Sequence, residues 1–442
     1  MSINLDGSVT EVTSQSWGSR LGGSLKGIFM GILLVLVATA LLWWNEGRAV
    51  RTGDAINEAQ KVTISMPSVD KLDPAFEGKL VHTHGHATTT QTVSDQLFGI
   101  APPPPVLALT RKVEYYQWIE NSSSETRKKL GGGTETVTTY NYEAKWVSSP
   151  VDSTKFKNPQ GHSNTLRVAA GVNLKDETFR PSQVDFGAYK LPESLASSIS
   201  KSQPFVPAFT PEQLTELRTK LLPQDRSLGA TVGRAIVEQS ASGAAEYLGD
   251  SGRVALDALM NENVKLHPLA DGSLYIGAIP ENPQPGDVRI SWTSTPDADV
   301  TIIAKVAGNS FTSYTASNGN TFSSLAMGNK DMGEMFETAR SGNTMMTWML
   351  RVLGIILAVA GFGMIFAPLG VLADVIPLLG SIVDAGTGFV STLLGVAWSF
   401  IIIALAWLRF RPLLSIALLV VAVALVVAIF KLRRKRAAAA AA

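Results

Sequence analysis

Residues 27–44 read GIFMGILLVLVATALLWW and are followed at 45–48 by NEGR. The run carries no charge. A helix rising about 1.5 Å per residue needs only modest help from its flanks to carry it across a hydrocarbon core about 30 Å thick. A secretory signal peptide has a shorter apolar core and ends on small residues. This run ends on Trp43 and Trp44, rings that favour a membrane interface, so it is read as a retained span. Asn45 and Gly47 favour a left-handed helix stop there, and Arg48 would offset the negative end of the helix.

Further charge-free runs lie at 352–373, 385–408 and 412–430, each about the length of a spanning helix. Trp348 and Arg351 open the first of these, which is read as a segment 344–373. Only Arg409, Phe410 and Arg411 separate the other two, and Pro412 suits the first turn of a helix, so these read as a tight helical hairpin. Residues 374–384 hold Asp374 and Asp384 around a mostly apolar stretch too short to cross, which is read as an interfacial loop capped by two carboxylates. Four spans therefore bracket a polar segment, 45–343.

Basic residues mark the cytoplasmic side of a span. Arg20 and Lys26 lie in the N-terminal segment 1–26, and Lys431, Arg433, Arg434, Lys435 and Arg436 in the tail 431–442, against Arg409 and Arg411 on the other side. Both termini are expected in the cytoplasm. The large domain then faces the periplasm of a bacterial inner membrane, or the lumen of the endoplasmic reticulum or nuclear envelope in a eukaryote. With 38 basic and 37 acidic residues the net charge is +1, so no global field would gather nucleic acid. The absence of cysteine removes disulfides, thiol nucleophiles and Cys-type zinc sites. Gly23, Gly27 and Gly31 recur every fourth residue and lay a small-residue face along the first helix, suited to packing within the chain or to dimerisation.

In the polar segment, alternation predicts a strand at 112–120, and a second with Thr136, Thr138, Tyr140, Tyr142, Ala144 and Trp146 on one face, the two forming a hairpin. Alternation at 288–292 and 300–306 predicts another antiparallel pair, joined around Pro296. Thr210, Pro211 and Gln213 form a helix-start signature ahead of Leu214, Leu217 and Leu221, and a second helix is expected at about 230–260. The fold class is therefore an α+β extramembrane domain, an antiparallel sheet with helices, combined with four transmembrane α-helices.

Chemistry is sparse. His82, His84 and His86 alternate along a predicted strand and so share one face, but neighbours there stand nearly 7 Å apart, far for three ligands on one ion without curvature. They are read as surface or edge histidines, and no metal or cofactor is assigned. The sequence has no zinc-protease helix motif, phosphate loop or nucleophile elbow. His162, Ser163 and Asp185 are merely the polar candidates an enzyme reading would have to use.

Three pieces carry a recognisable pattern: Asn45-Glu46-Gly47-Arg48-Ala49, Glu77-Gly78-Lys79-Leu80-Val81-His82 and Glu114-Tyr115-Tyr116-Gln117-Trp118. Tyr140-Asn141-Tyr142, Trp146, Gly161-His162, Gly286-Asp287-Val288-Arg289, Thr301-Ile302-Ile303-Ala304 and Arg411-Pro412-Leu413 continue it in order. Together they resemble the transmembrane protein 43 (LUMA) family from about residue 17 to 430. The resemblance implies a four-span protein with a large lumenal domain, self-association and a role in organising partner membrane proteins, without catalytic residues; His84 and His86 depart from the family pattern. The expected function is a non-enzymatic membrane scaffold, with copies of itself, other membrane proteins and the bilayer as partners. Glu46 and Arg48 are expected to bond to neighbouring spans or to another protomer. A channel or transporter, or an envelope hydrolase, is the alternative.

Overall fold

The computed structural model describes residues 2, 3, 8–169, 171–222, 264–413, 415 and 416. Helix α1 (Trp17–Val62) is far longer than the span read in it. Asn45 and Gly47 do not stop it, because the polar residues at that turn find partners on neighbouring helices. Beyond them Ala49, Ala55, Ile56 and Ala59 are buried, which carries the rod into the domain. It ends only at Thr63, whose N–H donates to Ala59 O.

One sheet runs in the order β1 (Ser2–Ile3), β2 (Val9–Gln15), β6 (Thr134–Val147), β5 (Ala108–Lys128), β13 (Val288–Thr295), β12 (Leu274–Gly277) and β11 (Lys265–Pro268), with β7 (Glu177–Phe179) on β5 and β10 (Gln203–Phe205) on β13. The expected hairpin is present as β5–β6, with Tyr116 opposite Trp146. Its core layer holds Leu109, Val113, Tyr115, Ile276, Val288, Ile290 and Trp292, all buried. Helix α2 (Glu193–Ala196) is a single turn. Helix α3 (Pro211–Leu221) starts at Thr210 through a complete capping box with Gln213 and buries Leu217 and Leu221. The helix expected at 230–260 lies outside the described residues.

The second sheet contains β18 (Ser324–Met327), β14 (Ala298–Ala307), β15 (Ser310–Thr312), β9 (Tyr189–Leu191), β8 (Val184–Phe186), β4 (Leu80–Thr88) and β3 (Ile64–Ser65). Because β14 also pairs with β4, the circuit β14-β15-β9-β8-β4 closes on itself around Val81, Phe186, Val300, Ile302 and Ala304. This corrects the expected pairing about Pro296. The strands before and after that proline belong to different sheets: β13 runs beside β5, and β14 beside β4. The turn carries the chain from one sheet to the other. A small hairpin, β16 (Tyr314–Thr315) with β17 (Thr321–Phe322), precedes β18.

Helices α4 (Met332–Ala373) and α5 (Pro377–Phe410) complete a bundle with α1. These three are the described helices long and apolar enough to cross a membrane. The fourth expected span, 412–430, and the basic tail fall almost entirely outside the described residues. Where a loop was expected at 374–384, α5 already begins at Pro377 and only residues 374–376 link the two helices.

Candidate functional site

Asn45, Glu46 and Arg48 lie within one turn of α1, each facing a polar partner inside an otherwise apolar bundle. The Glu46 carboxylate is fully buried and accepts from Arg351 Nε at 2.6 Å, Arg351 Nη2 at 2.9 Å and Trp407 Nε1 at 2.8 Å. The Arg351 guanidinium also lies 4.8 Å from the Trp348 ring centroid and 5.7 Å from that of Trp407. Arg48 donates to Asn343 Oδ1, Thr347 Oγ1 and Asn45 Oδ1 at 3.0–3.3 Å, while Asn45 Nδ2 donates to Thr347 O. Glu46 thus ties α1 to both α4 and α5, and Arg48 ties it to α4. Arg351 was read only as the opening of a span, although charged groups within spans find one another.

The small-residue face sorts itself differently from its spacing. A Cβ on Gly31 would stand 2.6 Å from Gly361 O, so α1 and α4 cross there backbone to backbone. Among the described residues nothing lies within 4 Å of a Cβ added at Gly23 or Gly27. The seam is completed instead by Gly354 against Leu42, Gly47 against Phe410 and Gly395 against Val359. Gly31→Leu is expected to destabilise the bundle by about 1–3 kcal/mol through overpacking, whereas Gly27→Leu leaves it unchanged. Thermal unfolding of both variants in detergent checks this, and equal effects would show that the crossing is not at Gly31.

A second polar cluster closes the other end of the bundle. Asp374 caps α4, is buried, and accepts from Arg20 Nη2 at 2.6 Å and Lys128 Nζ at 2.5 Å; the same ammonium donates to Asp384 at 2.5 Å. Arg20 also donates to Gly132 O, Gly131 N–H to Val375 O, and Trp17 Nε1 to Val371 O. Burial pushes the Asp374 carboxyl up, but hydrogen bonds and charge from Lys128 and Arg20 outweigh it and hold the group below the usual carboxylate range. Burial lowers and the two aspartates raise Lys128, with a net rise. The two aspartates read as loop caps thus clasp the tip of the β5–β6 hairpin.

The remaining polar candidates stay apart. His82 Nε2 meets Lys330 O and His86 Nδ1 meets Asp299, and no group of three His, Cys, Asp or Glu fit to hold a metal occurs among the described residues. His162 stacks on Tyr142 at 3.7 Å with Trp118 edge-on, Ser163 bonds Thr165, and Asp185 lies in the other sheet, bonded to Gln183.

The quoted sequence pieces, by contrast, come together in pairs. Val288 and Arg289 stand opposite Tyr115 and Glu114, and Arg289 Nη2 donates to Glu114 at 2.8 Å while its guanidinium covers Trp146. Gly286 has φ +100°, and a Cβ there would lie 2.1 Å from Thr165 O, so only glycine fits this turn. Ile303 and Ala304 stand opposite His82 and Val81 in the barrel. A family model described as Transmembrane protein 43 matches residues 115–412. The chain belongs to the transmembrane protein 43 family. It is 26% identical to transmembrane protein 43 of Mus musculus over 415 residues, which cover 92% of this chain and 90% of the relative. The Homo sapiens protein is 26% identical over 417 residues, again 92% and 90%. The Drosophila melanogaster homolog is 25% identical over 399 residues, covering 88% and 90%. No solved structure matches. The family pieces therefore mark the sheet and barrel seams as well as the Asn45–Arg48 turn.

Proposed function

We propose that this protein is a multi-pass, non-enzymatic membrane scaffold that self-associates in the membrane and presents its large domain to partner membrane proteins. The supporting observation is the joint between bundle and domain. Ile56 and Ala59 of α1 and Met335 and Phe336 of α4 are buried in one cluster with Leu80, Ile303 and Phe322 of the domain. Glu58 adds bonds to Tyr314 Oη and Ser317, and Arg340 of α4 bonds Asn57 of α1. Two helices run unbroken from apolar bundle to domain core, so the domain is held at a fixed attitude rather than hung on a linker. Such a mount suits presentation to partners and no turnover step needs it. Among the described residues, the Glu46, Arg351, Asp374 and Asp384 charges of the bundle are all paired, which favours architecture over an ion path. In this reading the start of α1 and the segment after the last span lie on the cytoplasmic side, the bulk of the domain faces the periplasm or lumen, and neither cofactor nor nucleic acid takes part. Amine cross-linking in native membranes and in mild detergent is expected to give discrete oligomers; monomers alone under both conditions would remove self-association from the reading.

A further inference from the structure

The β5–β6 hairpin is anchored at both ends of the molecule. At its base Tyr115 is buried in the sheet core beside Val288. At its tip Lys128, Gly131 and Gly132 are tied to Asp374, Asp384, Val375 and Arg20. The helix covers about 39 Å between Arg20 and Glu46 at ~1.5 Å per residue. The strand covers about 40 Å between Tyr116 and Lys128 at ~3.3 Å per residue. Fastened at its tip beside Arg20 and Asp374 and rooted in the domain sheet, the hairpin is long enough to run beside the bundle for the depth of its apolar zone, and β2 runs with it, Val9 to Gln15 pairing with Tyr140 to Thr134.

Neither face of this strip suits lipid. One carries Ser122, Ser124, Thr126, Thr136 and Thr138 beside Tyr140, and the other Asn121, Ser123, Glu125, Arg127, Glu135 and Thr139 around Val12 and Val137. Its two edges are also open. Among the described residues β5 has no second strand beside it from Glu120 to Lys128, and β1 covers β2 only at Val9 and Thr10. Ser122–Arg127 and Val12–Gln15 are exposed. Open sheet edges are not stable against hydrocarbon; polar backbone at that depth must be covered by protein or line a polar enclosure. The open edges lie at one level, since Thr126 and Thr13 both stand opposite Thr136. Both strands run toward the tip.

We propose that this strip is a seam between copies of the chain: the β5 edge of one copy pairs in parallel with the β2 edge of the next, so that a ring of copies encloses the polar strips and turns the apolar helices outward. Two different edges of one strip make a head-to-tail contact, which closes into a ring when the rotation allows. An axis along the membrane normal keeps every span in the same sense and makes the pairing parallel. A different protein offers no reason for two matched edges on one strip. The seam rests on the self-association reading and gives it a surface.

The chain has no cysteine, so introduced pairs report alone. Thr13→Cys is combined in one chain with Ser122→Cys, Ser124→Cys or Thr126→Cys to scan register. Within a copy Thr13 and Thr126 are two strand spacings apart, about 9.6 Å, beyond disulfide reach. Mild oxidation of native membranes should give a ladder of disulfide-linked multimers for at least one pair, and a linked dimer when the two matching single variants are co-expressed. If no pair gives a ladder while amine cross-linking of the same membranes still gives oligomers, the seam is overturned and self-association stands. Monomers in both assays overturn both.

Discussion

Arg351→Met is expected to cost the bundle about 3–5 kcal/mol, because it leaves a fully buried Glu46 carboxylate facing only the Trp407 indole. Removing one member of a buried pair strands the other charge, whereas removing both also removes the desolvation penalty. The double variant Glu46→Gln with Arg351→Met should therefore recover most of the loss, and thermal unfolding in detergent should rank it well above the single variant. Exchanging Glu46 with Arg48 would not test this contact, since their side chains serve different partners: Glu46 meets Arg351 and Trp407, and Arg48 meets Asn343 and Thr347. The informative exchange is Glu46→Arg with Arg351→Glu. If Arg351→Met unfolds with the parent, the ion pair does not hold the three helices together.

That contact shows which features were legible in the sequence. Absence of charge over a sufficient length found the three described helices of the bundle, because burial in hydrocarbon penalises every charged residue regardless of partner. Alternation found both strands of the β5–β6 hairpin, and the capping box found α3, since each is a local preference written within a few residues. Pairing was another matter. Alternation states that Val288–Thr295 and Ala298–Ala307 are strands, but their partners β5 and β4 lie far upstream, and proximity about Pro296 suggested the wrong ladder. Glycine spacing likewise identified a face of α1 without saying where α4 meets it: among the described residues, only Gly31 of the three is in contact. The stop expected at Asn45–Gly47 failed for a related reason. A residue that would end an isolated helix is overridden when Asn45 donates to Thr347 O and Ala59 further on is fully buried.

The domain carries a comparable buried charge. Asp95 accepts both 2.7 and 2.8 Å bonds from Arg111 Nη1, together with Trp292 Nε1 at 3.0 Å and the Leu97 N–H at 3.2 Å. Arg111 lies on β5 and Trp292 opposite it on β13, so one carboxylate fastens the loop holding Phe98 across both central strands. The guanidinium is itself nearly enclosed, between the rings of Phe98 and Phe179. Asp95→Ala leaves that cation with only the half-exposed Glu177 carboxylate and Lys175 O, and leaves the buried indole N–H without an acceptor. A loss of about 3–5 kcal/mol is expected. Glu177→Ala breaks a pair whose carboxylate is half-exposed and should cost no more than about 1 kcal/mol. Asp95→Asn, which keeps the shape and loses the charge, should fall between them, since hydrogen bonds to charged groups are worth roughly twice neutral ones. Urea unfolding followed by near-ultraviolet circular dichroism of the packed aromatic residues, Trp292 among them, separates the three. Equal losses for Asp95→Ala and Glu177→Ala would mean that the loop is held by the apolar packing of Phe98 on Trp292 and that the carboxylate adds nothing to it.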